Sequence, residues 1–481
     1  MKRINPIYTG CGPIIKQTST CLLYLMIFVT CSQIQAQAIA RTGYFMENAT
    51  HRHLMNPALT PTRGYISLPV AGELSLGIES NMQFTNFIYP SNDGNELVTF
   101  LHPDISTSDF LSKLSPVNYL RTDVRTSLLS LGFYTGSSFW TFDVASRTNV
   151  SMNLPYELFA FLKQGMSSDQ GNLYQIRNLS ISANEFAEVA LGYSRVLSDN
   201  LRVGGKLKFL AGGGYAKANI TSMDIDMKPD EWRVTTNGVM DIYGKGINLG
   251  KDEEGTIDSL YLKSPGLGGT GFAVDLGVAY SPIPNLNLSL AVIDLGSIRW
   301  KKDNIRKATS SGSVTFSGVE GFGLDSIGKN KASDQMETIK DDLLKMAKFK
   351  ETTVTGNELQ KLFPTINAGA EYTLLNNKLS LGFLYSNRYM TDDRYSEMTG
   401  SLNLRPSSWF NFSGSYSFIH GKKETVGFAL GFVPAIVNIF LACDYTFFHV
   451  NPQFIPLNTL TTNFQLGVSV PLGKGKLPKM F

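Results

Sequence analysis

Cysteine is scarce: the 481 residues hold four, and Cys11, Cys21 and Cys31 fall near the start. With a leader covering those three removed, Cys443 stands alone and no intramolecular disulfide can form. Histidine is scarce too, with five, His51, His53, His102, His420 and His449, in no H-E-x-x-H helix or Cys/His cluster. The chain therefore offers no metal ligand set, and His51 and His53 read as plain surface imidazoles. Nucleophile-elbow and phosphate-loop motifs are absent, which leaves neither an enzyme reading nor a cofactor. Charge of one sign is not in excess, at 43 Lys+Arg against 40 Asp+Glu, so there is no basic stripe for nucleic acid. No apolar run reaches the ~20 residues of a spanning helix. The run at 21–29 follows Lys2, Arg3 and Lys16 and precedes the A-x-A-like Ala36-Gln37-Ala38, the pattern of a secretory signal over 1–38. Thr30 before Cys31 makes a poor lipoprotein signal.

Strict alternation is what the chain has instead. Phe410, Phe412, Tyr416 and Phe418 fall on one strand face and Asn411, Ser413, Ser415 and Ser417 on the other. Phe272, Val274, Leu276, Val278 and Tyr280 oppose Gly271, Ala273, Asp275, Gly277 and Ala279 in the same way. Val203, Leu207 and Phe209 oppose Arg202, Lys206 and Lys208, with the charges on one face only. The pattern recurs in about 14 segments, which predicts an all-β, transmembrane antiparallel β-barrel with lipid outside and a polar lumen. The mean hydropathy of -0.05 suits strands of which half faces the lumen.

Links between segments alternate in length, as outer-membrane barrels alternate short periplasmic turns with long extracellular loops. Turn formers mark tight links at Thr135-Gly136-Ser137, Leu197-Ser198-Asp199-Asn200, Pro282-Ile283-Pro284-Asn285, Leu375-Asn376-Asn377, Arg405-Pro406-Ser407 and Val433-Pro434-Ala435. The long loops are expected at 91–123, 151–186, 221–270, 296–363, 391–396, 420–423 and 451–460. The division is a signal peptide at 1–38, a plug or periplasmic segment at 39–64, the barrel at 65–473 and a short basic tail at 474–481.

Asn56-Pro57-Ala58-Leu59 is a turn ahead of the first strand and the candidate plug. Gly212-Gly213-Gly214 interrupts the segment 201–220 and is the candidate strand kink, with a lateral portal or a flexible loop start as the alternatives. Met336, Ile339, Leu343, Met346 and Ala347 have helical spacing within 334–350, for a lid or for packing onto the barrel. Asp275, Glu371, Asp444 and Asp294 fall on the lumen face, where carboxylates tune electrostatics. Gln465, Gly467, Val470 and Leu472 loosely resemble the C-terminal signal read by the barrel-assembly machinery, with Phe481 lying beyond.

Asn56-Pro57-Ala58-Leu59, Asn153-Leu154-Pro155-Tyr156-Glu157-Leu158, Asp294-Leu295-Gly296-Ser297-Ile298-Arg299-Trp300, and the stretches Phe363-Pro364 and Gly369-Ala370-Glu371-Tyr372 carry a resemblance. With them the mature chain resembles FadL-like outer-membrane barrels of Bacteroidota, in particular a family of unknown function. The resemblance implies a Gram-negative outer membrane, a 14-stranded barrel with an N-terminal plug, and passage of small hydrophobic molecules. The alternative is a non-transporting barrel serving binding, assembly or secretion through its extracellular loops. Expected partners are outer-membrane lipid, the assembly machinery and a hydrophobic small molecule.

Overall fold

A computed structural model describes residues 39–90, 97–166, 171–316, 343–389, 394–419, 423–434, 436–445 and 461–473. The expected signal peptide, the expected basic tail and most of the expected loop helix lie outside them. The chain forms a closed antiparallel barrel of 14 strands. In order these are β1 (Gly64–Ser67 continued by Leu74–Ser80), β2 (Val117–Thr135), β3 (Ser138–Pro155), β4 (Asn172–Ser198), β5 (Leu201–Met227), β6 (Gly269–Ile283) and β7 (Leu286–Trp300). Then follow β8 (Thr365–Leu374), β9 (Leu379–Tyr389), β10 (Arg394–Ser407), β11 (Phe410–Ile419), β12 (Lys423–Phe432), β13 (Asn438–Tyr445) and β14 (Thr461–Leu472). Each strand pairs with the next, and β14 closes on β1 through Ile66↔Val470 and Leu76↔Phe464.

The two faces divide as the alternation requires. Leu207, Phe272, Leu290, Leu381 and Phe418 are exposed on the outer wall, whereas Lys206, Lys208, Asp275, Asn403, Ser413 and Gln465 are buried inside. The lumen is packed, however, rather than watery. At the short-turn rim, Asn285, Asn376 and Asn377 take positive φ of 73°, 55° and 65°, a region Asn tolerates. The turn expected at Arg405-Pro406-Ser407 lies at 408–409 instead. Pro406 sits within β10, at a register shift between Leu404 and Ser407, where a missing N–H breaks no regular pair.

The expected loops 151–186 and 221–270 are largely sheet. A spanning strand needs about 9–11 residues, yet β4 and β5 run 27 each and rise beyond the belt. Their upper halves continue into Trp232–Tyr243 and Ile305–Phe316, which pair along their lengths. Inside this extension Ile176, Met223, Ile225 and Met227 pack on helices α1 (Thr107–Leu111) and α2 (Tyr156–Gln164). Phe100 and Phe110 stack there with centroids 4.4 Å apart. Residues 343–347 are helical, and Met346 and Ala347 are buried in the same core, so this part of the expected loop helix packs.

Candidate functional site: the barrel interior

Residues 40–62 lie inside the lumen at the short-turn end. Two 3-10 turns, Arg41–Gly43 and Thr50–Leu54, fold the segment on itself, and wall side chains hold its backbone. Arg41 donates its N–H to Asp444 at 2.8 Å, and its guanidinium pairs with Glu397. Asn367 donates to the Met55 carbonyl, and Arg405 to the Phe45 carbonyl, each at 2.8 Å. Tyr134 donates to the Pro61 carbonyl at 2.6 Å. Asn438 donates to the Asn48 carbonyl at 2.9 Å.

Asn56, Pro57, Ala58 and Leu59 form the tightest part of this contact. Asn56 turns the chain by accepting from the Ala58 N–H at 2.9 Å, and it donates to the Val278 carbonyl at 3.3 Å. The turn rests on Gly204 of β5 and Gly277 of β6, which are direct cross-strand partners. A Cβ on Gly204 would come within 2.4 Å of the Pro57 carbonyl carbon, and one on Gly277 within 2.9 Å of the Pro57 ring. Two glycines at one rung thus make the seat. Their shared place on the lumen face was visible in the sequence, but their pairing needed the register.

His51 and His53 are not the surface residues expected from sequence. They are 3% and 2% exposed in this luminal segment. The His51 ring lies 4.0 Å from that of Phe440, and His53 Nε2 is 2.6 Å from the Tyr65 hydroxyl. Burial pulls both pKa values down from 6.5 to about 3, so both imidazoles are neutral at ordinary pH.

Beside the segment lies a layer of ion pairs. Arg147 and Lys208 hold Asp294 at 2.8 and 2.6 Å, and Lys208 also reaches Asp275 at 2.7 Å. Arg125 joins Glu188 to Glu73, Lys206 pairs with Asp143, and Arg388 with Asp123. A cavity between layer and segment is lined by Leu54 and Met55 on one side and Asp123, Arg147, Lys208 and Arg388 on the other. A second cavity lies near the short-turn rim, bounded by Arg52, Leu59 and Thr60 of the segment and Arg202, Ser281 and Ser289 of the wall. All four lumen acids singled out by sequence, Asp275, Asp294, Glu371 and Asp444, are buried in ion pairs, so none is a free base.

Gly212, Gly213 and Gly214 sit where β5 changes partner from β6 to Trp232–Tyr243. The strand is unbroken, with a bulge at Gly213 against β4, and the Gly212 carbonyl accepts from Gly268 at 3.0 Å. Gly212 lies under the indole of Trp300, where a Cβ would approach to 2.8 Å. Trp300 belongs to an inward apolar cluster with Phe186, Leu210, Tyr243 and Ile298 at the extension end of the barrel. Sequence reasoning missed a split in β1: residues 68–73 leave the strand, with Leu68 and Val70 exposed and Val70 at φ 64°, while Glu73 turns back in to pair with Arg125. Neighbouring strands re-bond the excursion, Val70 donating to Ser127 and Val468 to Ala71, each at 2.8 Å.

Residues 57–444 match the family of unknown function DUF5723, and the chain belongs to that family. No curated protein matches it. Among solved structures it is similar to the Ralstonia pickettii toluene transporter TbuX, at 8% identity and TM-score 0.44, covering 91% of this chain and 99% of that one. It is similar also to a Pseudomonas aeruginosa FadL homologue, at 10% identity and TM-score 0.42 over 93% and 100% of the two chains. The Pseudomonas putida toluene transporter TodX gives 10% and 0.39 over 92% and 94%. At these scores the likeness carries nothing about cargo.

Proposed function

From the interior of this DUF5723 barrel, we propose an outer-membrane transporter for small hydrophobic molecules, with residues 40–62 as its plug. The observation that carries the reading is how the segment is held. Side chains grip its backbone through hydrogen bonds, each worth a net ~1 kcal/mol, so it is a closure that can be displaced without unfolding the wall. The buried Trp300 cluster fills the extension end with apolar side chains, which an apolar solute entering there has to part. The ion-pair layer opposes its further passage, because an apolar solute replaces none of the bonds it would disturb. The split at 68–73, or the bulge at Gly213, is then where such a solute leaves sideways into lipid.

Proteoliposomes loaded for swelling and for uptake of an apolar fluorescent probe test this. The intact barrel should admit the probe and exclude sugars, and deletion of 39–61 should admit both. If neither form passes any solute, the chain is not a transporter.

One observation favours a second reading, a docking platform for another chain. The hairpin of Lys245–Lys251 and Ile257–Gly266 exposes Leu260, Tyr261 and Leu262 in succession beside the extension. Affinity capture from solubilised membranes that recovers the barrel alone, under conditions preserving other complexes, counts against it.

A further inference from the structure

Arg202 of β5 is 6% exposed, and Arg52 of the luminal segment 7%. Both line the cavity near the short-turn rim, whose wall also carries Glu47 and Glu371. Neither forms an ion pair among the described residues, in contrast with the network beside them. Arg202 has the hydroxyls of Thr60 and Tyr134 as neighbours. Arg52 donates Nε–H to the Tyr44 carbonyl at 3.0 Å. The two carboxylates nearest Arg52, Glu371 and Glu47, are engaged by Arg405 at 2.5 and 3.9 Å. Three guanidiniums thus face two carboxylates, which leaves one positive charge uncompensated. A buried cation without a counter-ion is costly, and a planar guanidinium fork matches an oxyanion. Burial lowers the pKa of Arg52, and Glu371 and Glu47 offset that only in part.

We propose that Arg52 and Arg202 form a binding site for a single oxyanion, a phosphate or carboxylate group, seated between the luminal segment and the wall. Because one arginine belongs to the segment and the other to β5, a bound anion ties the two together. The inference does not depend on what the barrel transports.

The full-length barrel, folded in neutral detergent, is titrated calorimetrically with inorganic phosphate and with dodecyl phosphate. Saturable binding should weaken at least about tenfold in Arg202→Gln and in Arg52→Gln, each retaining the heat-modifiable folded band, and Arg202→Lys should recover part of it. Equal affinity for the two probes identifies a free ion as the ligand, and tighter dodecyl phosphate a lipid headgroup. Absence of saturable binding of either probe, or unchanged binding in both glutamine variants, overturns the proposal.

Discussion

The lower and upper halves of β4 and β5 are the same strands in two solvents. Below, Glu188, Lys206 and Lys208 point inward while Leu191, Leu207 and Phe209 meet the outside. Above, Ile176, Met223 and Ile225 point inward to a fully buried core, while polar neighbours face out. Where the outside is lipid the apolar face turns out; where it is water the apolar face turns in. A bulge at Gly213 lies between the two regimes, where one extra residue shifts the face that follows.

Charge pairs should separate the regions most sharply. Asp294→Leu removes the buried carboxylate that Arg147 and Lys208 share, leaving Arg147 only Glu188 and Lys208 only Asp275, and should cost about 3 to 5 kcal/mol. Asp224→Ala removes a pair with Arg177 that is roughly 40% exposed on the extension, and should cost under ~1 kcal/mol. Urea midpoints of the two variants decide it, and equal losses would mean that the lumen is as wet as the surface.

Core truncation should act on the extension alone. Ile225→Ala empties a fully buried position and should cost ~2 to 4 kcal/mol. Limited proteolysis should then cut above the belt while the heat-modifiable band persists. Loss of that band would show that barrel and extension unfold as one unit.

Acid should loosen the luminal segment. The pKa values of His51 and His53 when docked are about 3 against 6.5 when free, so the docked segment binds fewer protons between those values. Its hold is full above 6.5, weakens as pH falls, and levels off near 3. Around His53, Lys206 and Arg125 oppose the proton and Asp143 favours it. Protease access to 40–62 should therefore rise between pH 6.5 and 4, and His51→Phe with His53→Gln should flatten the rise. A flat profile in the unaltered chain refutes it.

Much of the belt was legible because lipid enforces alternation residue by residue, as Phe410 to Phe418 show, and because Asn376 and Asn377 announce their turn. Alternation marks a strand without saying which side is wet. The rising parts of β4 and β5 therefore read as loops, with charges such as Asp224 and Asp226 on what is the outer face. Pro406 read as a turn because a bulge that tolerates proline has no local signature. The candidate site was half legible: Asn56-Pro57 signalled its bend, but its glycine seat, and the burial of His51, His53, Arg52 and Arg202, depend on strands far away in sequence.

The inversion of faces is tested most directly by one charge placed on either side of it. Leu207 on β5 and Leu173 on β4 are exposed to 66% and 59%. Leu207→Arg puts a guanidinium into lipid and should lower folded stability by ~2 to 4 kcal/mol. Leu173→Arg puts it into water and should change stability by no more than ~0.5 kcal/mol. Urea midpoints of both variants, refolded side by side into the same bilayers, give the answer. A large loss at 207 and none at 173 is the predicted result, and equal effects would contradict the placement of the membrane.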